Sequence, residues 1–390
     1  MVREGAGGPP SRTMTFGPGP RVALFLGAYF AANAVNGFMP LWFADRGLSP
    51  AAIGQILSIA SLLRVLAGPQ WGSVADRIGK RRPVLTGAAV VASSMALLYL
   101  PLGGFLPLLL VAAGQGIASS AINPLIDSLA LSLARQGLME YGPVRSVGSA
   151  TFMLATAAAG WLMNLFGSTL IPWLLAIGYG SCAVFSRFLP EAATPPAAPR
   201  AFAGIALFRI PAFRLAVGST ALIQGAHAAY YGFAALFWRS QGISDRTIGL
   251  LIAEGIIVEI LLFARGRRVI ERLGPAGLTA CAAAASIIRW SITALGPPMP
   301  VLIVIQILHA ATFAMQHLSA MLVLGRSIPP ERAATAQALH AALGYGAPGG
   351  LMMFLSGFLY ARYGGLTFLA MAVIGGSALL LVRPLRRAMA

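Results

Sequence analysis

The chain has 390 residues, of which 57% are hydrophobic and only 10% are charged. Soluble domains carry about 25% charged residues, so this composition excludes a protein whose whole surface faces water. The net charge of +17 comes from 28 Lys and Arg residues scattered between apolar runs, a distribution that excludes a nucleic-acid-binding face. Cys182 and Cys281 lie inside apolar runs and indicate neither a disulfide framework nor a metal site. The sequence therefore predicts an integral membrane protein, with the lipid bilayer as a partner.

The chain begins with residues 1–20, which are rich in glycine and proline and lack the apolar core of a signal peptide. They are predicted to be a disordered tail. A helical span needs about 20 apolar residues, and the apolar runs that follow predict twelve spans. These are 21–43, 50–71, 83–101, 104–134, 141–165, 168–189, 213–238, 245–265, 276–296, 299–325, 332–361 and 364–383. The predicted fold is all-α, with six-helix bundles over 21–189 and 213–390 joined by a linker, 190–212.

The basic residues favour one side of the membrane. Of the 28 Lys and Arg residues, 22 lie in the N-terminal segment, in loops after even-numbered spans or at the C-terminus. Only 4 lie in loops after odd-numbered spans, and Arg64 and Arg289 lie within spans. Because cytoplasmic loops are enriched in Lys and Arg, both termini and the linker are predicted to be cytoplasmic, as in an inner-membrane protein of a prokaryote.

An internal repeat relates the two predicted bundles. The segment GLSPAAIGQILSIASLLRVL, starting at Gly47, aligns with GISDRTIGLLIAEGIIVEIL, starting at Gly242, at an offset of 195 residues. The same offset pairs Gly54 with Gly249. Both copies follow an odd-numbered span, so the repeat is parallel. Transporters built in this way bind substrate near the membrane midplane, between the two halves.

The segment GSVADRIGKRR, residues 72–82, resembles the loop 2–3 signature of the major facilitator superfamily, with a weaker echo at residues 271–274. The resemblance implies a secondary active transporter that works by alternating access, as a monomer and without a cofactor or metal. In this reading the loop is a gating element in which Asp76 accepts hydrogen bonds from a helix N-terminus across the interface between the halves. The implied gating residues are Gly72, Asp76, Arg77, Gly79 and Arg81.

Other motifs resemble the phenylpropionate-permease-like group, which is related to lactose permease and to nucleoside–proton symporters. They are Asn123-Pro124-Leu125-Ile126-Asp127, Tyr141-Gly142-Pro143-Val144-Arg145-Ser146-Val147-Gly148-Ser149, Glu259, Arg289-Trp290 and Leu308-His309-Ala310. This resemblance implies proton-coupled uptake of a small organic molecule, such as an aromatic or other carboxylate.

Charged residues inside spans are costly, so each is expected to face a cavity and to have a partner. Glu259, Arg289 and His309 fall at depths from which all three can meet. A carboxylate beside an arginine and a histidine can load and release a proton when a neighbour moves, and we expect this cluster to couple transport to protons. The alternative is a structural ion pair that locks the C-terminal half.

The remaining polar residues within the spans are candidates for substrate contact. Asp127 and Arg145 fall at similar depths on adjacent spans. They either provide polar groups for the substrate or the cytoplasmic gate, or form a salt bridge that packs the two helices together. Arg64 is the repeat-mate of Glu259 and suits a carboxylate substrate, unless it pairs with Asp127 or another carboxylate. The full candidate set is Arg64, Asn33, Asn36, Asn123, Asp127, Arg145, Gln316 and His317.

Two other functions compete with proton-coupled uptake. Efflux members of the superfamily usually carry a Gly-Pro motif within the fifth span. Residues 148–166, in the interior of that span, contain no proline, which disfavours drug efflux. The stretch 344–350 in the eleventh span loosely resembles the motif. A membrane sensor is disfavoured because no soluble domain is long enough to carry an output. An enzyme is not expected, since no metal-ligand cluster, nucleophile elbow or phosphate-binding loop is present in a suitable context.

Overall fold

The computed structural model describes residues 17–191, 205–329 and 332–389, and the described residues are helical apart from short turns. The helices of the first half are α1 (Pro18–Asn36 and Met39–Asp45), α2 (Pro50–Ile78), α3 (Arg81–Leu98), α4 (Phe105–Ser119 and Ile122–Arg135), α5 (Tyr141–Phe166) and α6 (Ile171–Ser186). Those of the second half are α7 (Pro211–Gly225, Tyr230–Ala234 and Ala235–Ser240), α8 (Asp245–Arg265), α9 (Arg267–Ala294), α10 (Met299–Gln306, Ala310–Met315 and Gln316–Ser327), α11 (Ala333–His340, Ala341–Gly346 and Ala347–Tyr363) and α12 (Thr367–Ser377 and Leu379–Met389). The predicted all-α fold with twelve membrane helices is confirmed.

By length and apolar composition alone, seven helical stretches of the described chain can cross a membrane, and an eighth counts if the bent α1 is one span. One of the seven, Thr335–Met389, holds most of α11 together with α12. Other spans fall short of this criterion because breaks or charges interrupt them, as in α7 and α8.

The predicted boundaries differ from the structure mainly at the ends of α2 and α9. The sequence placed the end of α2 at residue 71, but the helix continues to Ile78 and ends at Gly79, whose φ of 68° is left-handed. The sequence placed the start of α9 at residue 276, but helix begins at Arg267 and is interrupted at Gly274. Both extensions are charged helix outside the apolar run, which a hydropathy criterion does not detect. Residues 1–16 of the predicted tail and 192–204 of the predicted linker lie outside the described residues.

The repeat is visible in the turns that precede α2 and α8. Gly47 and Gly242 each have φ of 82°, a conformation that glycine adopts without strain. The next serine in each copy caps the helix: Ser49 Oγ accepts from the amide of Ala52, and Ser244 Oγ accepts from the amide of Thr247, both at 3.3 Å. The predicted repeat therefore produces the same turn and the same helix start in both halves.

The first, fourth, seventh and tenth helices are each interrupted near their middle. α1 bends by 40° between Asn36 and Met39, and α4 breaks between Ser119 and Ile122. α7 and α10 contain the π-helical turns Tyr230–Ala234 and Ala310–Met315. π-helical turns inside α-helices are frequent at functional sites, and these place Tyr230 and His309 beside the central cavity.

The two halves meet chiefly where α2 packs on α11 and α5 packs on α8. At each crossing two glycines face each other. A Cβ atom on Gly54 would lie 2.6 Å from Cα of Gly357, and one on Gly160 would lie 2.8 Å from Cα of Gly249. Gly54 and Gly249 are the repeat-matched pair, so the repeat supplies both close crossings.

We call the end of the bundle where α1 begins and α12 finishes the terminal end, and the opposite end the far end. Both glycine crossings lie toward the far end. There Arg239, at the end of α7, binds Asp45 at the end of α1 and Asp245 at the start of α8. Ser168 also donates to Asp45. The halves are therefore closed against each other at the far end.

Toward the terminal end, the helices that form these crossings separate. From Leu66 to Ile78 of α2, Ala75 is the single buried residue. The first turns of α5 and the last turns of α8 are likewise largely exposed. The structure is therefore open toward the terminal end and closed at the far end.

Candidate functional site

Two adjoining cavities lie between the halves, with volumes of about 360 Å³ and about 300 Å³. Gly37, Phe152 and Tyr231 line both, so they are compartments of one central space. The larger compartment contains Glu259 and His309. We call it the carboxylate compartment, and we call the smaller one, which contains Arg64, the arginine compartment.

The structure brings the three predicted proton-coupling residues together, with His309 in the middle. His309 Nδ1 lies 3.1 Å from Nη1 of Arg289, and its Nε2 lies 3.7 Å from Oε2 of Glu259. At 3.7 Å the latter contact is longer than a hydrogen bond. Glu259 and His309 keep 20% and 10% of their side chains exposed, whereas Arg289 is fully buried. A ligand in the cavity therefore reaches the glutamate and the histidine, while the arginine lies behind them.

Arg289 is held by hydrogen bonds and by two aromatic rings. Its Nη2 donates to Gln306 at 3.0 Å, and its Nη1 lies 3.1 Å from the Thr312 hydroxyl. The guanidinium lies 4.5 Å from the centre of the Tyr230 ring and 4.4 Å from that of Trp290. Within the described part of the chain, no carboxylate lies within 4 Å of it. Its positive charge is thus partly offset by π faces and remains available to the neighbouring compartment.

Arg64 lies in the arginine compartment with Asn33 and Asn36, two other predicted substrate-binding residues. Asn33 donates to the Tyr29 carbonyl at 2.9 Å, which fixes its side chain along α1. Arg64 is half-buried and has no hydrogen bond or ion pair to any described residue. The alternative pairing with Asp127 is therefore not formed in this conformation.

Asp127 instead lies beside Arg145, at 3.8 Å between Oδ1 and Nε. Arg145 also stacks on Phe30, with 4.5 Å from its guanidinium to the ring centre, and lines the carboxylate compartment. The buried oxygens Oδ1 of Asp127 and Oδ1 of Asn123 have no hydrogen-bond partner among the described residues. The contact is loose, so Arg145 retains donors for a ligand.

The last two predicted substrate-binding residues lie nearer the terminal end. Gln316 is fully buried and donates to Ser219 and Thr220 of α7, at 3.1 and 3.0 Å. His317 is half-buried, and its Nδ1 lies 3.1 Å from the Tyr345 hydroxyl. Neither residue is among those lining the two compartments.

The predicted gating residues lie at the terminal end, where the halves are apart. Asp76 is exposed, and its carboxylate makes no hydrogen bond to a described residue in this conformation. Arg77 and Gly72 lie on the last turns of α2, and Gly79 ends that helix. Arg81, the first residue of α3, is mostly buried, and its Nη1 has no partner among the described residues. The contact across the halves that was predicted for Asp76 is absent from the described residues of this open end.

Sequence reasoning missed the far-end ion pairs, because Asp45, Arg239 and Asp245 resemble ordinary loop charges. A signal was available: the offset of 195 maps Asp45 to a position beside Arg239, so opposite charges lie at matching helix ends. It also missed Gln306 and Thr312, which hold Arg289. Both are uncharged residues in an apolar run and carry no sequence signal of their own.

Comparison with known proteins agrees with this architecture. A profile described as the MFS_1 like family matches residues 21–370. The probable 3-phenylpropionic acid transporter of Escherichia coli (strain K12) is 30% identical over 362 residues, which cover 90% of this chain and 94% of that protein. Maltose permease of Geobacillus stearothermophilus is 28% identical over 342 residues, 86% of each chain. The crystal structure of the nucleoside transporter NupG superposes with a TM-score of 0.79 at 18% identity, over 96% of this chain and 99% of that one.

The similarity to NupG shows the shared fold, and the profile match spans most of the chain. The resemblance inferred from residues 72–82 and from the intramembrane motifs is thereby confirmed. The chain belongs to the MFS_1-like family and is a membrane transporter of the major facilitator type.

Proposed function

We propose that this protein takes up a small organic anion, an aromatic carboxylate, together with protons. The observation that carries the proposal is the central space, where unpaired arginine donors and a Glu259–His309 pair lie in adjoining compartments between the halves. Such a site binds a charged solute and a proton next to each other, as symport requires.

The charge balance of the cavity favours an anion. Arg64 and Arg145 line it, and Arg289 lies directly behind His309. Among the described residues, Asp127 is the carboxylate in contact with one of these three arginines, and its 3.8 Å contact with Arg145 is loose. Glu259 contacts His309 instead. Arg64 is the proposed first contact, because its planar fork matches a carboxylate and nothing else in the described chain occupies it. Asn33 and Asn36 lie beside it with further polar groups.

The lining of the carboxylate compartment favours an aromatic body. Phe30, Phe152, Tyr230, Tyr231 and Phe313 surround it. Aromatic rings pack well against such walls in offset or edge-on geometry. The relative named as a probable 3-phenylpropionic acid transporter agrees with this class of substrate.

Proton coupling is assigned to Glu259, with His309 and Arg289 as its partners. Glu259 is the carboxylate that a ligand and water reach from the cavity. Arg289 contacts His309 and so adds its positive charge to the surroundings of the Glu259–His309 pair. The rings of Tyr230 and Trp290 hold the Arg289 guanidinium in place. Substrate charge entering near His309 changes the field at Glu259, which links proton loading to substrate loading.

We place the protein in the inner membrane of a prokaryote, as a monomer, with both termini in the cytoplasm. The bias of Lys and Arg toward the terminal end supports this orientation. The structure is then open to the cytoplasm and closed to the outside. Alternating access follows if the bundles over 21–189 and 213–390 rock about the central space, with the loop of Gly72, Asp76, Arg77, Gly79 and Arg81 joining them in the opposite state.

A thermal-shift assay on the purified protein tests substrate recognition. We expect 3-phenylpropionate to raise the melting temperature, while its neutral amide and maltose leave it unchanged. The shift is lost in Arg64→Gln and kept in Asp76→Ala, because only the first substitution removes a cavity donor. If no carboxylate stabilises the wild type, the anion assignment is wrong.

Transport into proteoliposomes tests coupling and direction. A gradient that is alkaline inside drives accumulation of 3-phenylpropionate in symport. Accumulation driven by the opposite gradient would identify an efflux antiporter. Binding without flux in either direction would favour a membrane sensor.

A further inference from the structure

A small cavity with basic walls lies at the terminal end of the first half, apart from the central space. We call it the basic cavity, and its volume is about 120 Å³. The start of α3 contributes Lys80, Arg81 and Arg82 to its walls, α4 contributes Leu129, and the segment after α6 contributes Glu191. Pockets for drug-sized ligands measure about 300–1,000 Å³, so the basic cavity suits a small ion or a single functional group.

Arg81 is a buried cation without a partner in the described chain. It keeps only 7% of its surface exposed, and its Nη1 has no hydrogen-bond partner among the described residues. No described carboxylate lies within 4 Å of its guanidinium, although Glu191 lines the same cavity. Residues 192–204, which follow Glu191, contain no acidic side chain. Because a buried charge without a partner is costly, we expect an anion from outside the chain to pair with Arg81.

The start of α3 adds backbone donors beside this guanidinium. The helix begins at Arg81, and Lys80, which precedes it, provides no side-chain cap. In the part of the chain that the structure describes, no backbone carbonyl accepts from the amides of Arg81 and Arg82. The first amides of a helix favour an anion, because they lack partners within the helix and lie at the positive end of its dipole. The segment therefore offers an anion a buried guanidinium together with free amides.

The charge and the depth of the basic cavity favour a phosphate group. Among its described lining residues, Lys80, Arg81 and Arg82 outnumber the carboxylate of Glu191. The planar fork of an arginine matches two oxygens of a phosphate, and a lysine adds a point charge. The apolar run of α3 begins at residue 83, directly after these basic residues. The cavity therefore lies where the membrane core meets water, the depth at which basic pockets bind anionic lipid headgroups.

We propose that the basic cavity binds a phosphate group, with Arg81 as its central ligand and Lys80 and Arg82 as further donors. The group arrives either on the headgroup of an anionic phospholipid or as a free phosphate, and the chemistry of recognition is the same in both cases. Once bound, it joins the start of α3 to the segment after α6. The inference goes beyond the proposed transport function, because the residues of this cavity line neither compartment of the central space.

A thermal-shift assay in detergent, with inorganic phosphate as the probe and chloride at equal ionic strength as the reference, tests the site. Phosphate also stabilises proteins without binding, through exclusion from their surface, so the informative quantity is the part of the shift that a substitution removes. We expect phosphate to raise the melting temperature of the wild type by several degrees and Arg81→Gln to weaken its apparent affinity tenfold or more. Arg135→Gln removes an exposed charge from the same end of the molecule and serves as the matched control, with the shift retained.

Two further substitutions change the charge of the cavity in opposite directions and keep the test valid if Arg81→Gln folds poorly. Lys80 and Glu191 are both exposed, so neither substitution disturbs the packing. Lys80→Gln should weaken phosphate binding severalfold, and Glu191→Gln should strengthen it. Arg64→Gln should leave it unchanged, because Arg64 belongs to the central space. Phosphate binding that is lost in Arg64→Gln and unchanged in Lys80→Gln and Glu191→Gln overturns the assignment to the basic cavity.

Native mass spectrometry with phosphatidylglycerol or phosphatidylcholine separates the two sources of the phosphate group. Retention of phosphatidylglycerol in preference to phosphatidylcholine, lost in Arg81→Gln, identifies a lipid headgroup. A phosphate shift that depends on Arg81 without any lipid preference identifies free phosphate. If neither response depends on Arg81 and Lys80, the cavity is not a phosphate site. The shift caused by 3-phenylpropionate is retained in Arg81→Gln in every case, so failure of this site is distinguishable from failure of the transport proposal.

Discussion

Asp45 accepts two hydrogen bonds from Nη1 of Arg239, at 2.9 and 3.0 Å, across the boundary between the halves. The other edge of the same guanidinium donates to Asp245 at 2.9 and 2.8 Å, within the second half. Arg239 is thus held by its own half and reaches the other half with one nitrogen. Opening of the far end must break the contact with Asp45 and can keep the one with Asp245.

Asp45→Asn is expected to shift the protein toward opening at the far end. Both side chains of the pair are partly exposed, so the ion pair contributes about 1 kcal/mol at most, or roughly a fivefold change in the ratio of closed to open forms. A cysteine at Asn36, in a background without Cys182 and Cys281, reports the opening. Its labelling by a membrane-impermeant maleimide from the far-end side should rise severalfold. Asp245→Asn should have a smaller effect, since it leaves the bond between the halves; an equal effect would place the control of opening elsewhere.

Gly54→Leu is expected to force the far end open more strongly than loss of the ion pair. The added Cβ would lie 2.6 Å from Cα of Gly357 and 3.0 Å from the Met353 carbonyl, and backbone atoms cannot move aside as a flexible side chain can. The same labelling assay should show a rise of tenfold or more, with transport lost. Gly87→Leu is the control, because no atom lies within 4 Å of a Cβ there. Unchanged labelling in Gly54→Leu would mean that the glycine crossing does not set the closed state.

Arg289→Lys is expected to lower both stability and transport although it keeps the charge. A lysine cannot donate to Gln306 and Thr312 in the same fork or stack between the rings of Tyr230 and Trp290. Loss of these buried charged hydrogen bonds costs about 3 kcal/mol, so the melting temperature should fall by several degrees. Arg362→Lys, at an exposed position, should melt like wild type. A stable Arg289→Lys protein with normal uptake would assign the arginine to charge alone.

Glu259→Gln is expected to abolish the pH dependence of transport and to spare exchange. We expect wild-type uptake to rise when the outside is more acidic, because in the proposed mechanism a protonated Glu259 accompanies the inward-moving substrate. An amide cannot load or release a proton, so the variant should equilibrate substrate at the same rate with or without a gradient. Glu254→Gln, on the same helix, is the matched control and should keep the gradient response. A gradient response that survives in Glu259→Gln would move the coupling site to another group.

Asp76→Ala is expected to slow turnover severalfold without weakening the binding of 3-phenylpropionate. Asp76 is exposed, and its carboxylate has no hydrogen bond to any described residue when the terminal end is open, so its proposed contact forms only in the opposite state. The melting temperature of the substrate-free protein should therefore be unchanged. Normal turnover would remove Asp76 from the gating loop.

Much of the architecture follows from the sequence. The period of apolar runs predicts the twelve spans because a bilayer core fixes the length of a helix that crosses it. The offset of 195 residues predicts matching turns, and Ser49 and Ser244 cap α2 and α8 in the same way. The depths of Glu259, Arg289 and His309 along their helices predict that they can meet. These features depend on local composition and spacing, which a single chain displays directly.

Other features depend on how the helices pack. The sequence leaves open whether Arg64 pairs with Asp127, and only the packed bundle places Asp127 beside Arg145 and leaves Arg64 without an ion pair to any described residue. It gives no sign that Arg289 is held by Gln306, Thr312 and two rings, because uncharged residues in an apolar run carry no distinct pattern. The closed far end also depends on contacts between segments nearly 200 residues apart. Local hydropathy and spacing therefore determine the spans and the repeat, whereas helix rotation and the meeting of the two halves decide which intramembrane charges are paired and which face the cavity.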